Sequence, residues 1–355
     1  MAETKVVKIN PVVPEPDKII EAARIVRQGG LVIFPTETVY GIAADSNNPK
    51  AMDRLRAVKR RVDGKLFSIL VAQRGIIENY SSYTHPNLYK VIDKYWPGPL
   101  TVIVPARQEG ETIGIRMPDH TVALRLVEES GCTIAAPSAK LEGKKAPVSC
   151  QEAMEDLNGQ VDLALDGGPV DFGISSTIVD FNLPHPTVTR DGVIKQSDID
   201  ETMGKKCVLF VCTGNSCRSV MAEYLLKNKL IGRTDVEVIS AGTSVFFKSQ
   251  ASQETLSVLK DRGINAAGHI SRALGNIMLK KSDLIFAMTR SHRSQILERV
   301  PAVEKRVYLL KEFCGVHRGF ESDLDLPDPI GQSHEAYEEC LLTINEAIEK
   351  IEGLL

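Results

Sequence analysis

A cysteine and an arginine separated by five residues, Cys212 and Arg218, lie between an apolar segment and a segment with helical periodicity. The apolar segment, residues 207–211, is typical of a strand buried on both faces of a parallel sheet. Backbone amides in the intervening loop then point at the N-terminus of the following helix, where unpaired donors and the helix dipole stabilise an anion. The pattern predicts a phosphate-binding loop that contains a nucleophile.

The residues of this loop have distinct predicted tasks. Gly214 allows a tight turn, and Arg218 offers a planar pair of donors to phosphate oxygens. The positive field of the loop favours the thiolate of Cys212, which can attack a bound phosphoryl group in line. Asp328, in the proline-fixed segment Leu326 to Gly331, is the candidate acid for the leaving group. The other predicted loop residues are Thr213, Asn215, Ser216, Cys217 and Ser219.

From Cys207 to Leu355 the sequence resembles the low-molecular-weight protein tyrosine phosphatase family. The resemblance rests on Cys212, Gly214, Asn215, Arg218 and Ser219, and on the segments Ser240 to Gly242 and Ala287 to His292. It implies a four-stranded parallel sheet with helices on both faces, a cysteinyl-phosphate intermediate, a phosphorylated protein as substrate, and no metal or other cofactor.

Two positions bear on which phosphorylated residue this site accepts. Ser216 stands where phosphotyrosine enzymes of the family usually have a bulky aliphatic residue, and Ile330 stands where they usually have an aromatic one. A small hydroxyl residue at the first position and the segment Leu309 to Phe313 resemble the protein-arginine phosphatase branch. In such a pocket Asp328 can pair with a guanidinium before it donates its proton. Phosphoarginine is favoured, and phosphotyrosine stays open.

Length and composition bound the organisation of the chain. Its 355 residues suit two domains of ordinary size, and its net charge of −3 gives no general footprint of a nucleic-acid-binding protein. Seven cysteines without a regular framework predict a reducing cytoplasm, with Cys217 either in a reversible disulfide with Cys212 or an ordinary buried thiol. No segment is apolar over the roughly 20 residues that span a bilayer, so no membrane partner is expected.

The polar segment from Lys195 to Lys206 lacks apolar periodicity and marks the predicted junction between the domains. We predict one domain over residues 1–200, a linker over 201–206 and a phosphatase domain over 207–355. Before the junction, a helical pattern over Asp17 to Gln28 and several short apolar runs predict an α/β fold. The runs are Leu31 to Phe34, Phe67 to Val71, Leu100 to Val104 and Thr133 to Ala136.

Hydroxyl and basic residues follow the apolar runs of the N-terminal half, and no set of cysteines and histidines has metal-ligand spacing. Five basic residues are candidates to converge on a polyphosphate, with Thr36, Ser138 and Ser176 as neutral donors. The five are Lys59, Arg61, Lys65, Arg116 and Arg190. For any one of these residues taken alone, a solvated charge or a capping hydroxyl is the alternative interpretation.

Over about residues 8–194 the order and spacing of these motifs resemble the threonylcarbamoyl-AMP synthase family, and Trp96 to Thr101 is among the most specific segments. The resemblance implies a twisted α/β sheet around a large, positively charged cavity. It implies a nucleotidyltransferase that condenses L-threonine, bicarbonate and ATP, with Mg²⁺ on the phosphates, into L-threonylcarbamoyl-adenylate and pyrophosphate. A downstream tRNA-modification machinery, which makes threonylcarbamoyladenosine (t6A), follows from the same resemblance.

The same resemblance assigns binding roles position by position. L-threonine is assigned to Thr36, Arg116, Ala136 and Ser176. ATP is assigned to Lys59, Arg61, Lys65, Thr112, Ser138 and Arg190. Catalysis in such a site is mostly alignment of the reactants and neutralisation of phosphate charge.

Lys140, Glu142 and Ala146 depart from the family pattern, which has asparagine or serine at these positions. Loss of one neutral hydrogen bond at Ala146 costs only about 0.5–1.5 kcal/mol, so the loss need not abolish ATP binding. Two hypotheses for the whole chain follow. The preferred one is a bifunctional enzyme, synthase and phosphatase. The alternative is a non-catalytic nucleotide- or RNA-binding module tethered to an active phosphatase.

Overall fold

The computed structural model describes residues 3–60, 67–83, 85–313, 315 and 324–355. The chain divides into two compact units, one formed by residues 1–83 and 91–200 and the other by residues 84–90 and 201–355. Within the described ranges, no helix combines the length and the apolar character that a membrane-spanning segment needs.

The strands of the first unit form one mixed sheet of ten strands in the order β1-β8-β2-β3-β7-β4-β6-β5-β9-β10. They are β1 (Lys5–Lys8), β2 (Val32–Phe34), β3 (Gly41–Asp45), β4 (Ile69–Leu70), β5 (Leu100–Pro105), β6 (Thr112–Arg116), β7 (Ile134–Ala135), β8 (Leu163–Asp166), β9 (Thr177–Asp180) and β10 (Thr187–Arg190). The helices up to residue 204 are α1 (Pro16–Arg27), α2 (Pro49–Lys59), α3 (Ile77–Tyr80), α4 (Pro86–Tyr95), α5 (Thr121–Ser130), α6 (Cys150–Leu157) and α7 (Gln196–Gly204).

The predicted helical pattern near the N-terminus is present as α1. Its residues Ile19, Ala22, Ala23 and Val26 recur at helical spacing and are all buried, and Gly29 follows the helix with a φ of +83°. The four predicted apolar runs contain β2, β4, β5 and β7. In the run from Phe67 to Val71, Ile69 and Leu70 form β4. These two residues pair with β6 on one side and with β7 on the other.

The segment predicted as a polar junction is helical, since residues 196–204 form α7. Ile199 and Met203, four residues apart, are both buried. One apolar pair in nine residues is too short a pattern to indicate an amphipathic helix, so the sequence alone favours an irregular segment there. The following strand, predicted from Cys207, begins at Lys206.

The second unit contains a sheet of four parallel strands in the order β12-β11-β13-β14 with helices on both faces, as predicted. The strands are β11 (Lys206–Cys212), β12 (Val236–Gly242), β13 (Leu284–Ala287) and β14 (Val307–Leu309). The helices are α8 (Arg218–Lys229), α9 (Gln253–Lys260), α10 (Asn276–Lys281), α11 (Arg290–Arg299), α12 (Leu310–Phe313) and α13 (His334–Glu352).

The central strand β11 is buried on both faces because its side chains alternate between two apolar clusters. Val208 and Phe210 pack in the cluster that contains residues of α8, α9 and α13. Leu209 and Val211 pack in the cluster that contains residues of α10 and α11. This burial fixes the carboxyl end of β11, where the predicted nucleophile lies.

Candidate active sites

The predicted phosphate loop connects the carboxyl end of β11 to the N-terminus of α8, so that Cys212 ends the strand and Arg218 begins the helix. Ligands of open parallel sheets bind at this edge. The neighbouring strand β12 approaches closely at Gly242, where a Cβ atom would lie 2.5 Å from the Thr213 carbonyl oxygen and 2.9 Å from the Asn215 nitrogen. Glycine is therefore required there for steric reasons.

The Cys212 sulfur is buried and surrounded by donors. Its Sγ lies 2.9 Å from the Ser219 hydroxyl and accepts the Asn215 backbone N–H at 3.3 Å. The Asn215 amide donates to Ser219 Oγ at 3.0 Å, which leaves the Ser219 proton free to point at the sulfur. Two hydrogen-bond donors therefore face Sγ.

Asn215 holds the shape of the loop. It has a φ of +53°, and its side chain makes three hydrogen bonds, to Ser219, to Ser240 Oγ at 2.7 Å and from the Arg272 backbone N–H at 2.9 Å. Ser240 in turn donates to the buried carboxylate of Glu223. The loop conformation thus depends on one left-handed residue anchored from three sides.

Two substitutions at Asn215 separate the contribution of its left-handed backbone from that of its side-chain hydrogen bonds. Asn215→Gly removes the side-chain hydrogen bonds, but glycine adopts the left-handed backbone without strain. Asn215→Ala removes the same hydrogen bonds and also disfavours the left-handed backbone. Both variants should hydrolyse an aryl phosphate more slowly than the unaltered chain. The alanine variant should also be less stable than the glycine variant by about 1 kcal/mol, which thermal or urea unfolding measures. Equal stability of the two variants would contradict the assigned role of the backbone.

Arg218 and the candidate acid Asp328 meet beside the loop. The Arg218 side chain is 5% exposed, its Nη2 pairs with Asp328 at 2.5 Å, and its Nη1 donates to the Leu326 carbonyl at 2.9 Å. Its Nε is buried and has no hydrogen-bond partner within the described ranges. Such an orphaned donor fits a site that receives an anion. The Asp328 side chain is 39% exposed, so it can be reached from solvent.

The remaining loop residues lie against the second unit's helices. Ser216 accepts the Ser252 backbone N–H at 3.0 Å through its carbonyl, and its hydroxyl lies 3.5 Å from Cys217 Sγ. The Cys217 sulfur also lies 3.5 Å from the Tyr337 hydroxyl, and burial raises the pKa of Tyr337 to about 12. All the predicted residues of this site are thus brought together.

His292, from α11, also lies at this site, although its role was not predicted from the sequence. Its ring bridges the Thr213 and Thr289 hydroxyls, each at 2.9 Å. Burial, and then the charge of Arg218, lower the pKa of His292 to about 4. The imidazole is therefore neutral near neutral pH.

A pH dependence of stability follows from this lowered pKa. The unfolded chain binds a proton at His292 near pH 6.5 and the folded chain only near pH 4, so the free energy of unfolding falls as pH falls through this window. The loss for one group reaches up to about 3 kcal/mol. His292→Gln should flatten the thermal-unfolding profile between these pH values, whereas His334→Gln should not. Identical profiles for His292→Gln and the unaltered chain would contradict this.

The first unit contains a cavity at which six of the predicted residues meet. They are Thr36, Arg116, Ala136, Ser138, Ser176 and Arg190. These residues come from the ends of β6 and β10 and from the loops beside β2, β7 and β9. Residues that are distant in the sequence thus converge because the strand order places their ends together.

Two guanidinium groups give this cavity its positive charge. Arg190 donates to the Ser176 carbonyl at 3.0 Å and to its hydroxyl at 2.9 Å. Burial, and then the charge of Arg116 in the same cavity, lower the pKa of Arg190. Arg116 lies 2.8 Å from the carboxylate of Glu37, which is 2% exposed. Two guanidinium groups that line one cavity fit an anionic ligand.

Two described residues of the predicted ATP site, Lys59 and Thr112, do not line this cavity. The Lys59 ammonium donates to the Ser138 carbonyl at 2.6 Å and to the Lys140 carbonyl, so it holds the loop after β7. Thr112 is exposed at the start of β6, about 13 Å along the strand from Arg116. Arg61 and Lys65 lie outside the described residues.

Two buried carboxylates beside these sites, Glu37 and Glu223, are not among the residues predicted from the sequence. Both carboxylates are buried; Glu37 pairs with Arg116, and Glu223 pairs with Lys227 and accepts the Ser240 hydroxyl. The only available signal is a glutamate inside an otherwise apolar or hydroxyl-rich segment, because buried acids are rare without a partner.

Two family models match the chain. One, described as "Telomere recombination", matches residues 24–192, and the other, described as "Low molecular weight phosphotyrosine protein phosphatase", matches residues 207–353. The threonylcarbamoyl-AMP synthase of Bacillus subtilis is 34% identical over 196 residues, which are 53% of this chain and 57% of that protein. A Methanocaldococcus jannaschii protein provisionally designated as the same synthase is 32% identical over 200 residues, 54% of this chain and 95% of that protein.

The C-terminal half is 38% identical over 144 residues to a protein-arginine-phosphatase of Geobacillus stearothermophilus, which covers 41% of this chain and 92% of that protein. A solved structure of P. abyssi Sua5 complexed with L-threonine shares the fold, with a TM-score of 0.54 and 22% identity, over 86% of this chain and 99% of that one. The chain spans little more than half the length of the first curated relatives it matches, 57% and 58%.

Fold and sites define a chain of two α/β domains, one with a cationic cavity and one with a cysteine-containing phosphate loop. The chain belongs to two families, because its N-terminal half is a domain of the threonylcarbamoyl-AMP synthase family and its C-terminal half is a domain of the low-molecular-weight phosphotyrosine protein phosphatase family.

Proposed function

We propose that the N-terminal domain condenses L-threonine, bicarbonate and ATP into L-threonylcarbamoyl-adenylate and pyrophosphate. The observation that carries this proposal is the convergence of Arg116 and Arg190 with the hydroxyls of Thr36, Ser138 and Ser176 on one cavity. Threonine's amine captures bicarbonate or carbon dioxide, the resulting carbamate attacks the α-phosphorus, and pyrophosphate leaves. Guanidinium groups neutralise the developing charge without exchanging protons.

Mg²⁺ enters this proposal with the nucleotide. Among the described residues that line the cavity, none carries a carboxylate. Because magnesium in proteins is usually held by one or two carboxylates together with substrate phosphates, we assign the ion to the phosphates of ATP. Lys59, Arg61, Lys65 and Thr112 remain proposed ATP contacts, and the product would pass to a machinery that modifies tRNA.

We propose that the C-terminal domain hydrolyses protein phosphoarginine through a cysteinyl-phosphate on Cys212. The main support for this proposal is the buried Cys212 Sγ, which two hydrogen-bond donors face and which lies in the same site as Arg218 and Asp328. Attack by Sγ on phosphorus breaks the bond to the guanidinium nitrogen, and Asp328 gives that nitrogen its proton. Water then attacks the phosphorus and gives a proton back to Asp328, and the S–P bond breaks, which returns Sγ and releases phosphate. Unpaired cysteines at all six described positions support a reducing cytoplasmic setting.

A specific observation makes phosphotyrosine the second candidate substrate. Phe246 and Phe247 are 86% and 85% exposed, and they follow Ser244, whose N–H donates to the Thr213 carbonyl at 3.0 Å. Exposed rings next to the phosphate loop offer a surface for a phenyl group.

Paired peptides that differ only in the phosphorylated residue separate the two substrates. We expect a higher kcat/KM for the phosphoarginine peptide, by about 10-fold or more, because Asp328 can pair with the guanidinium. The reverse ranking would contradict the preference. In that case, loss of phosphotyrosine hydrolysis in the Phe246→Ala/Phe247→Ala variant would assign the ring contact to these residues.

A further inference from the structure

The segment from Met288 to His292 contacts both loops that carry the phosphatase chemistry. The Met288 carbonyl accepts the Leu326 N–H at 2.9 Å, and the Arg290 N–H donates to Asp325 at 2.7 Å, so this segment holds the loop that leads to Asp328. Four residues after Met288, the His292 ring lies against Thr213, which follows the nucleophile directly. One short segment therefore connects the acid loop with the phosphate loop.

The His292 ring fixes the hydroxyl groups on both of its sides. The residue is 4% exposed, so water does not compete for its nitrogens. A neutral imidazole has one N–H and one lone pair, so it donates to one threonine hydroxyl and accepts from the other. Thr289 is itself held, since its hydroxyl accepts the His292 backbone N–H at 3.3 Å as the N-cap of α11. The ring thus links Thr213 to a rigid helix start.

Thr213 is held from two directions as a result. Its carbonyl accepts the Ser244 N–H at 3.0 Å, and its hydroxyl bonds to the His292 ring at 2.9 Å. The peptide between Thr213 and Gly214 begins the turn whose amides receive the phosphoryl group. A small displacement of this peptide moves those donors relative to Cys212 Sγ, and displacement of a reacting group by about 1 Å can lower a rate by about 100-fold.

We propose that His292 is a positioning residue of the phosphatase reaction. Through its hydrogen bond to Thr213, it fixes the start of the phosphate loop relative to the segment that anchors the acid loop. This inference rests on the proposed phosphatase function of the C-terminal domain. It assigns His292 no contact with the substrate. Its effect belongs to the chemical step, because backbone amides and Arg218 still bind the phosphate.

A double-mutant cycle in the full-length chain tests this role. His292→Ala, Thr213→Val and the double variant are compared by kcat and KM for p-nitrophenyl phosphate. We expect each single variant to lower kcat about 10-fold, the equivalent of one hydrogen bond, with KM changed by less than about 3-fold. The double variant should be no slower than the slower single variant, because both changes remove the same contact. The proposal would be overturned if the loss of kcat in the double variant equalled the product of the two single losses, or if Thr213→Val left kcat unchanged.

Two further variants separate positioning from a general loss of structure. His292→Gln offers an amide donor or acceptor to Thr213 and should recover part of the lost kcat, whereas equal loss in the Gln and Ala variants would count against the proposal. Exposed His334, on α13, provides the control His334→Ala, which should retain full kcat.

If His292→Ala does not fold, Thr213→Val and His292→Gln still decide the question, since Thr213 is exposed. Failure of the phosphatase assignment itself is distinguishable, because the unaltered chain would then hydrolyse nothing.

Discussion

Replacing Cys212 with serine lowers the rate of aryl phosphate hydrolysis by at least about 10⁴-fold, the scale seen when an enzyme loses its nucleophile. A serine hydroxyl is a far weaker nucleophile than a cysteine sulfur, and the donors from Ser219 and Asn215 then no longer face a sulfur atom. Initial rates of p-nitrophenol release measure the loss.

Binding of inorganic phosphate should survive this change, because Arg218 and the loop amides remain. Protection of the Cys212→Ser variant by phosphate in thermal unfolding provides that measurement. Cys132→Ser, in the other unit, is the matched control and should leave hydrolysis unchanged. Full activity of the Cys212→Ser variant would refute the nucleophile assignment.

Arg116→Lys has the largest expected effect on the N-terminal domain. Lysine keeps a positive charge opposite the buried Glu37, so no unpaired carboxylate is left in the interior. It loses the Nε contact to the Gly98 carbonyl at 3.3 Å and the planar donor pair that fits a carboxylate. We expect threonine-dependent release of pyrophosphate to fall about 100-fold, mainly through a higher KM for L-threonine.

The control for this variant is Arg125→Lys, at a side chain that is 66% exposed. It should release pyrophosphate at the rate of the unaltered chain. An unchanged KM for L-threonine in Arg116→Lys would remove Arg116 from the proposed threonine site. An equal loss in both variants would indicate a general defect instead.

The sequence predicts local features of this chain well. The spacing of Cys212 and Arg218 and the apolar run before them predict a strand, a loop and a helix, and the structure contains β11, the loop and α8. These features depend on neighbours in the chain. The alternating burial of β11 explains why a continuous apolar run is enough to predict a central parallel strand.

Long-range pairings are not visible in the sequence. The bridge from His292 to Thr213 spans 79 residues and depends on β13 lying beside β11. The Glu37–Arg116 pair likewise depends on the order of the ten-stranded sheet, which periodicity does not determine. The contacts of Lys59 show the same limit, because nothing in the sequence indicates that its ammonium donates to the backbone carbonyls of Ser138 and Lys140.

Whether the N-terminal domain is a working synthase is the central question, because Lys140, Glu142 and Ala146 depart from the family pattern. Lys140 is not among the described residues that line the cavity, and its ammonium donates to the Lys144 carbonyl. The most direct test is mass-spectrometric detection of threonylcarbamoyl-adenylate after incubating the purified Cys212→Ser chain with L-threonine, bicarbonate, Mg²⁺ and ATP. The bifunctional account predicts that this product forms and depends on threonine. Its absence from folded protein, with the Bacillus subtilis synthase active alongside, would contradict that account and favour a nucleotide- or RNA-binding module joined to a phosphatase.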